Sequence, residues 1–316
     1  MSEKRIIAIT GATGAQGGGL ARAILNDKNS SFKVRAITRD VNSEKANALK
    51  KLGAEVVSGN IDEEESITKA FEGAYAAYCV TFYWAHMSPD REISNAHNLA
   101  KAAKNAGIKH AIWSTLDDTR KKFPLNDTRM PTLFGRFKVP HYDAKAEADH
   151  YFTDLGVPTT FLLTSFYWEN LIYFGLGPKK GADGKYYLNF PMGNKKLPSM
   201  AAEDIGKCAY GIFKRENEFI GKTVGIAGEH ITISKMAETL SKVLGIEVLY
   251  NEITPDAFRS FGYPGAEDMG NMLQYKRDNE EEYCKLRNLD FSRSLNPELM
   301  TFENWVIKNK NLIPLQ

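Results

Sequence analysis

A regular alternation of short apolar runs and amphipathic stretches fills the first half of this chain and limits its fold more than any other feature. Strand candidates are RIIAIT at 5–10, KVRAIT at 33–38, AEVVSG at 54–59, YAAYCVT at 75–81 and KHAIWST at 109–115. Helical patterns occupy the intervals at 17–26, 43–52, 62–72 and 90–106. In the last of these, Ile93, Ala96, Leu99, Ala100, Ala103 and Ala106 recur every three or four residues and mark one buried face. A helix in each crossover is what parallel neighbouring strands require. Continuous apolar strands fit a sheet covered on both faces. The expected fold is therefore α/β, a Rossmann-type doubly wound parallel sheet with a smaller helix-rich C-terminal domain.

The rhythm breaks at 117–140, a polar, proline-bearing stretch too long for a tight connection, which reads as a functional loop or lid. A helix is expected at 141–154 and a strand at 159–166. The run GKYYLNFPMGNKKLPS at 184–199 reads as a hairpin with Met192, Gly193 and Asn194 in its turn. Further helices are expected near 201–214, 233–244, 255–261 and 297–308. This divides the chain into a nucleotide-binding domain, 1–158, and a smaller domain, 167–316, with strands near 159–166 and 222–227 returning to the first.

Composition narrows the function classes. Net charge is +2, so no global field favours nucleic acid or an anionic membrane. No run approaches the roughly 18 apolar residues of a membrane span. MSEKR leads straight into an apolar strand, so no signal peptide is expected. The three cysteines, Cys79, Cys208 and Cys284, are far apart and fit reduced thiols of the cytoplasm, with the nucleus also open. His97 and His150 have no partner at metal-ligand spacing, so no metal site is expected.

GATGAQGGG at 11–19 follows the first strand and opens a helix, and its Gly11, Gly14 and Gly17 form G-x-x-G-x-x-G. Glycine permits positive φ and lets the backbone approach a pyrophosphate, while the helix N-terminus supplies N–H groups and a positive dipole end. A bare flexible turn is the alternative; the strand before and the helix after favour the cradle. The second strand ends Ile37-Thr38-Arg39, with Asp40 one residue later. An arginine there accommodates a 2′-phosphate by charge-assisted hydrogen bonds, so NADP(H) is expected over NAD(H), with Lys45 a further candidate.

ITGATGAQGGGLARAIL, the Thr-Arg after strand two, GAEVVSGN, GAYAAYCVTFYW, HYDAKAEADHYFTDLGVP and FYWENL together resemble the NmrA-like family, an atypical branch of the short-chain dehydrogenase/reductase fold. The resemblance extends to GYPGAEDMGNM at 262–272 and LNPELMTFENWV at 295–306. It implies a redox sensor that binds NADP(H) and acts through a regulatory protein partner, with an effect on transcription, as monomer or homodimer. It implies a cofactor site of Gly11, Thr13, Gly14, Gln16, Gly17 and Arg39, with Asn60 and Ile61 flanking the adenine. Thr81, Phe82, Tyr83 and Trp84 would lie along the ribose and pyrophosphate, Lys145 would bond the nicotinamide ribose, and Phe166 with Asn170 would border the nicotinamide. Relatives often carry aspartate where Asn60 stands.

A reductase of this fold needs a tyrosine one helical turn before the lysine, to protonate the developing alkoxide. Here His141 occupies that position, and Tyr142 lies next to it on the same broad stripe. His141 and Lys145 are the catalytic candidates if the chain is an enzyme; a capping or packing histidine is the competing reading. The aromatic runs TFYW and SFYWEN stay open between core packing and a ligand edge. The preferred reading is a nucleotide-responsive regulator; the alternative is an NADPH-dependent quinone or aldehyde reductase, and a plain interaction protein is the third.

Overall fold

A computed structural model describes residues 4–315. The chain divides into two compact units. The first runs up to Asp118 and adds Ala144–Thr164 and Glu203–Val224; the second comprises Thr119–Asp143, Ser165–Ala202 and the chain from Gly225 on.

In the first unit, β1 (Arg5–Ile9), β2 (Phe32–Thr38), β3 (Glu55–Ser58), β4 (Ala76–Cys79), β5 (His110–Thr115) and β6 (Thr159–Leu163) alternate with helices. These are α1 (Ala15–Asn26), α2 (Glu44–Lys51), α3 (Glu64–Phe71), α4 (Pro89–Asn105) and α5 (Pro140–Asp154), whose first turn is assigned to the second unit. The seven-stranded sheet has the order Thr223–Gly225, β6, β5, β4, β1, β2, β3. All five registers among β1 to β6 are parallel. The winding direction therefore reverses between β1 and β4, and in open α/β sheets the crevice at such a switch, outside the strand C-termini, is where ligands bind.

Local chemistry sets these boundaries. Ser43 and Ser88 cap α2 and α4 by accepting N–H groups of Ala46 and Arg91, and Pro89 begins α4. The strands β4, β5 and β6 are buried along their whole length, as a sheet covered on both faces demands. Ile37, Ile67, Phe71, Leu99, Trp113 and Phe152 belong to one core cluster.

The second unit carries two three-stranded sheets among its helices: Glu229–Thr232, Lys196–Met200 and Phe166–Tyr167 form one, and Val248–Glu252, Tyr186–Phe190 and Lys179–Lys180 the other. The hairpin expected over 184–199 does not form. Its turn is present, with Lys195 N–H donating to Met192 O at 3.0 Å. Its arms separate because distant strands take them: Tyr186–Phe190 pairs in parallel with Val248–Glu252, and Lys196–Ser199 antiparallel with Glu229–Thr232. The run expected as one strand over 159–166 also splits, Phe166–Tyr167 pairing with Ser199–Met200. The helix expected over 297–308 is Phe302–Asn309, and Ala266–Asp278, Glu280–Leu286 and Leu289–Leu295 are additional helices.

Residues 119–139 are a packed loop closed by one carboxylate. Buried Asp143 accepts the Thr119 N–H and hydroxyl at 2.8 and 2.7 Å, and the Lys138 and Val139 N–H groups at 2.7 and 3.0 Å. Burial pushes its carboxyl up, against the pull of those donors. Inside the loop the Lys138 ammonium donates to the carbonyls of Asp127 and Met130, both at 2.7 Å.

Two glycines let α1 meet helix Ala202–Lys214 backbone to backbone. A Cβ on Gly19 would collide with Glu203 O, and one on Gly206 with Leu20 N and, at 2.5 Å, Gln16 O. Only backbone lies in the way, so nothing there can rotate aside. Gly206→Val is expected to destabilise the protein by about 2 kcal/mol or more, read as a lowered midpoint in chemical denaturation; an unchanged midpoint would show that this crossing is not tight.

Candidate functional site

The turn after β1 is fixed by the neighbouring strand end. Thr10 N–H donates to Tyr78 O at 3.0 Å, and the Thr10 hydroxyl accepts the Val80 N–H at 2.9 Å. Gly11 then takes φ +59°, and Gly14 N–H closes onto Gly11 O at 2.8 Å. A Cβ on Gly17 would stand 2.5 Å from Gly11 O and 2.8 Å from Thr10 O, so any side chain there would push α1 off the strand. The helix begins at Ala15 behind Gly14, with no side chain capping it and no acidic residue in its first turn. Its positive end is thus left for an anion. Gly11 and Gly14 are exposed, Thr13 is half-buried, and Gln16 is anchored on the sheet, its Oε1 accepting the hydroxyls of Tyr78 and Ser114 at 2.5 and 2.9 Å.

Beyond β2, Arg39 is exposed and has no hydrogen-bond, ion-pair or ring partner among the described residues. Asp40 is occupied: its carboxylate accepts the Asn42 N–H at 2.9 Å in the turn leading to α2. The guanidinium, not the carboxylate, is therefore the uncommitted charge at this strand end. Asn60 is likewise engaged in its own turn, donating to Glu63 at 2.8 Å and accepting from Asp62 N–H at 3.2 Å. Ile61 is half-buried, and its carbonyl accepts from Asn98.

After β4, Thr81 and Tyr83 are buried, Trp84 is half-buried and stacks edge-on with Tyr83 at 5.3 Å, and Phe82 is 59% exposed. Lys145 of α5 reaches the same place. Its ammonium donates to Thr81 Oγ1 at 2.5 Å, pairs with Glu92 Oε1 at 2.7 Å and lies 5.0 Å from the centre of the Trp113 ring. The Glu92 carboxylate, 0% exposed, also accepts the Thr81 hydroxyl at 2.5 Å. Its other oxygen faces His86 Nε2 at 3.4 Å, and neither atom makes a hydrogen bond. Because His86 Nδ1 accepts the Ser88 N–H, Nε2 is the ring nitrogen that carries the proton. Burial on its own would push the Glu92 carboxyl up, but the Lys145 charge, the nearby His86 ring and the hydrogen bonds from Lys145 and Thr81 bring it from an ordinary 4.5 down to about 2.

Glu92 and His86 are the residues sequence reading missed. Glu92 carries a signal in hindsight: with Asn95, Ala96 and Leu99 it follows the i, i+3, i+4, i+7 spacing of the buried face of α4, where an unpaired carboxylate would be costly.

The first turn of α5 is occupied otherwise. His141 gives its backbone N–H to Asp268 Oδ2 at 3.2 Å, and its Nδ1 lies 2.6 Å from Asp268 Oδ1. Tyr142, 2% exposed, bonds through its hydroxyl to Tyr283 at 3.0 Å. Phe166 is buried in the second unit under the Lys276 ammonium, and Asn170 opens the short helix Asn170–Tyr173 there. Among the described residues no group of three His, Cys, Asp or Glu could hold a metal ion, and no helix is long and apolar enough to cross a membrane.

The buried pair has a pH signature. A carboxyl depressed in the folded state stabilises the protein above its unfolded pKa, and that stability is lost as pH falls through the folded value. Glu92 thus contributes stability that is present above about pH 4.5 and is lost as pH falls towards about 2. Glu92→Gln is expected to lower stability at neutral pH by about 3 kcal/mol and to flatten the acid limb of a denaturation-against-pH profile; a parallel acid limb would contradict the pairing.

Comparison with known proteins fits this geometry. The NmrA-like family model matches residues 3–306. An NmrA-like family domain-containing protein of Dictyostelium discoideum is 31% identical over 81% of this chain and 82% of its own. The NmrA-like family domain-containing oxidoreductase FrzB of Cladobotryum sp. is 27% identical over 88% of this chain and 85% of its own. Among solved structures, NmrA, a negative transcriptional regulator in complex with NADP, shares the fold at TM-score 0.76 and 23% identity, covering 97% of this chain and 95% of that one. From residue 3 to residue 306, this chain belongs to the NmrA-like family.

Proposed function

We propose that this chain binds NADP(H) at the C-terminal edge of the first unit's parallel sheet and works as a nucleotide-responsive regulatory protein through a protein partner, with an effect on transcription. The Gly11–Gly17 turn and the N-terminus of α1, with Thr13 and Gln16, take the pyrophosphate. Arg39 takes the 2′-phosphate, and its lack of a partner among the described residues is the observation that carries the choice of NADP(H) over NAD(H). Asn60 and Ile61 flank the adenine through backbone and apolar surface, since the Asn60 amide is already spent on its own turn. Thr81 to Trp84 line the ribose side, and Lys145 bonds the nicotinamide ribose. The NADP complex of NmrA supports this reading.

The regulatory reading rests on what stands in place of the proton-donating tyrosine. His141 is engaged by Asp268, and the Tyr142 hydroxyl by Tyr283. Groups committed in this way are poor candidates for proton delivery to a substrate carbonyl, since catalysis tolerates misplacement of about 1 Å poorly. The free thiols of Cys79 and Cys208 are buried and pushed up by burial, which fits the reducing cytoplasm or nucleus. A second reading, NADPH-dependent reduction of a quinone or aldehyde, is favoured by the oxidoreductase relative. Steady NADPH oxidation across a quinone panel, lost in Lys145→Ala, would select it.

The cofactor claim has a direct test. Arg39→Ala is expected to weaken NADPH binding roughly 10- to 100-fold, the worth of lost charge-assisted hydrogen bonds, and to leave NADH binding unchanged. Calorimetric titration reads both. Equal losses for the two cofactors would remove Arg39 from the 2′-phosphate.

A further inference from the structure

The Lys145–Glu92 pair is more costly than its position in the fold requires. A buried ion pair carries a desolvation penalty that packed apolar residues of similar volume would avoid. Here the carboxylate is wholly buried, shares Thr81 with the lysine and leaves Oε2 and His86 Nε2 facing each other without a hydrogen bond. The group lies just past the end of β4, at the switch between β1 and β4. Trp113 flanks the ammonium and is itself tied to Asp149, one turn along α5, at 2.8 Å. This is a charge-compensated spot at the sheet edge where ligands bind.

Charge is also what distinguishes the two forms of the cofactor. Their phosphates are identical, but the oxidised nicotinamide ring carries a positive charge and the reduced ring is neutral. A lone ammonium beside the nicotinamide ribose would penalise only the oxidised form, and a lone carboxylate would favour it. The side chains offer both charges, 2.7 Å apart.

We propose that Glu92 sets the relative affinity of this chain for NADP⁺ and NADPH, by cancelling the charge that Lys145 would otherwise present to the nicotinamide. The inference rests on the cofactor reading above, with Lys145 at the nicotinamide ribose. Glu92 is a specificity-determining residue that acts through Lys145, and the pair keeps both redox forms able to bind. A protein that reports the redox ratio of a pool needs this, because a site that rejects one form reports only the concentration of the other.

The test is calorimetric titration of the intact protein with NADP⁺, NADPH and adenosine 2′,5′-bisphosphate, the last having no nicotinamide. Glu92→Gln is expected to weaken NADP⁺ relative to NADPH by about tenfold or more, and Lys145→Met to shift the ratio the other way. The double variant Glu92→Gln/Lys145→Met, again neutral, returns the ratio towards the parent value. Adenosine 2′,5′-bisphosphate binds all four proteins alike, which also shows that each is folded. If both single variants keep the parental ratio, or both move it in one direction, while the bisphosphate still binds, the role of Glu92 is overturned. Failure of the parent protein to bind the bisphosphate overturns the cofactor reading itself, and this inference with it.

Discussion

The architecture of the first unit depends on how closely the backbone of α1 approaches the end of β1. No side chain can stand between Gly17 and the Gly11 carbonyl, and Thr10 locks that turn to the end of β4. The contact places a helix N-terminus at the point where the sheet reverses its winding direction. From there the strand ends of β2 and β4 are fixed by their parallel registers, so Arg39 and Thr81 are set by the same geometry. The neighbouring glycines serve a different purpose: Gly19 and Gly206 let two helix backbones touch. A glycine run that reads as one phosphate motif is thus two separate packing requirements.

At the site itself, a buried carboxylate and the Thr81 hydroxyl, not a tyrosine, are the partners of the lysine. A tyrosine next to lysine would share hydrogen bonds and lend a proton. A buried glutamate instead neutralises the ammonium and holds it still against Thr81 and Trp113. Leaving either charge alone in this environment is costly, so the pair behaves as one unit. That arrangement suits binding and positioning better than proton delivery.

Much of the first unit was legible because its signals are local. The alternation of strands and helices, the glycine turn and Arg39 at the end of β2 depend on neighbours in sequence. Glu92 was not legible as a site residue because its meaning lies in Lys145, 53 positions later, although its place on the buried stripe of α4 marked it. The second unit hid its sheets for a related reason. The arms of 184–199 alternate like a hairpin, yet their partners are Val248–Glu252 and Glu229–Thr232. Helix Ala266–Asp278 was masked differently, since Asp268, Asn271, Gln274 and Lys276 are buried and polar and break the apolar periodicity that a sequence pattern seeks. Asp268 is also the residue that engages His141, so the environment of α5's first turn could not be read from α5 alone.

The most direct measurement is a crystal structure of the protein with NADP⁺. Density for the pyrophosphate against the Gly11–Gly17 turn and for the 2′-phosphate against the Arg39 guanidinium is the expected result. A dinucleotide bound elsewhere, or an empty turn at saturating ligand, would contradict the assignment of this sheet edge as the cofactor site.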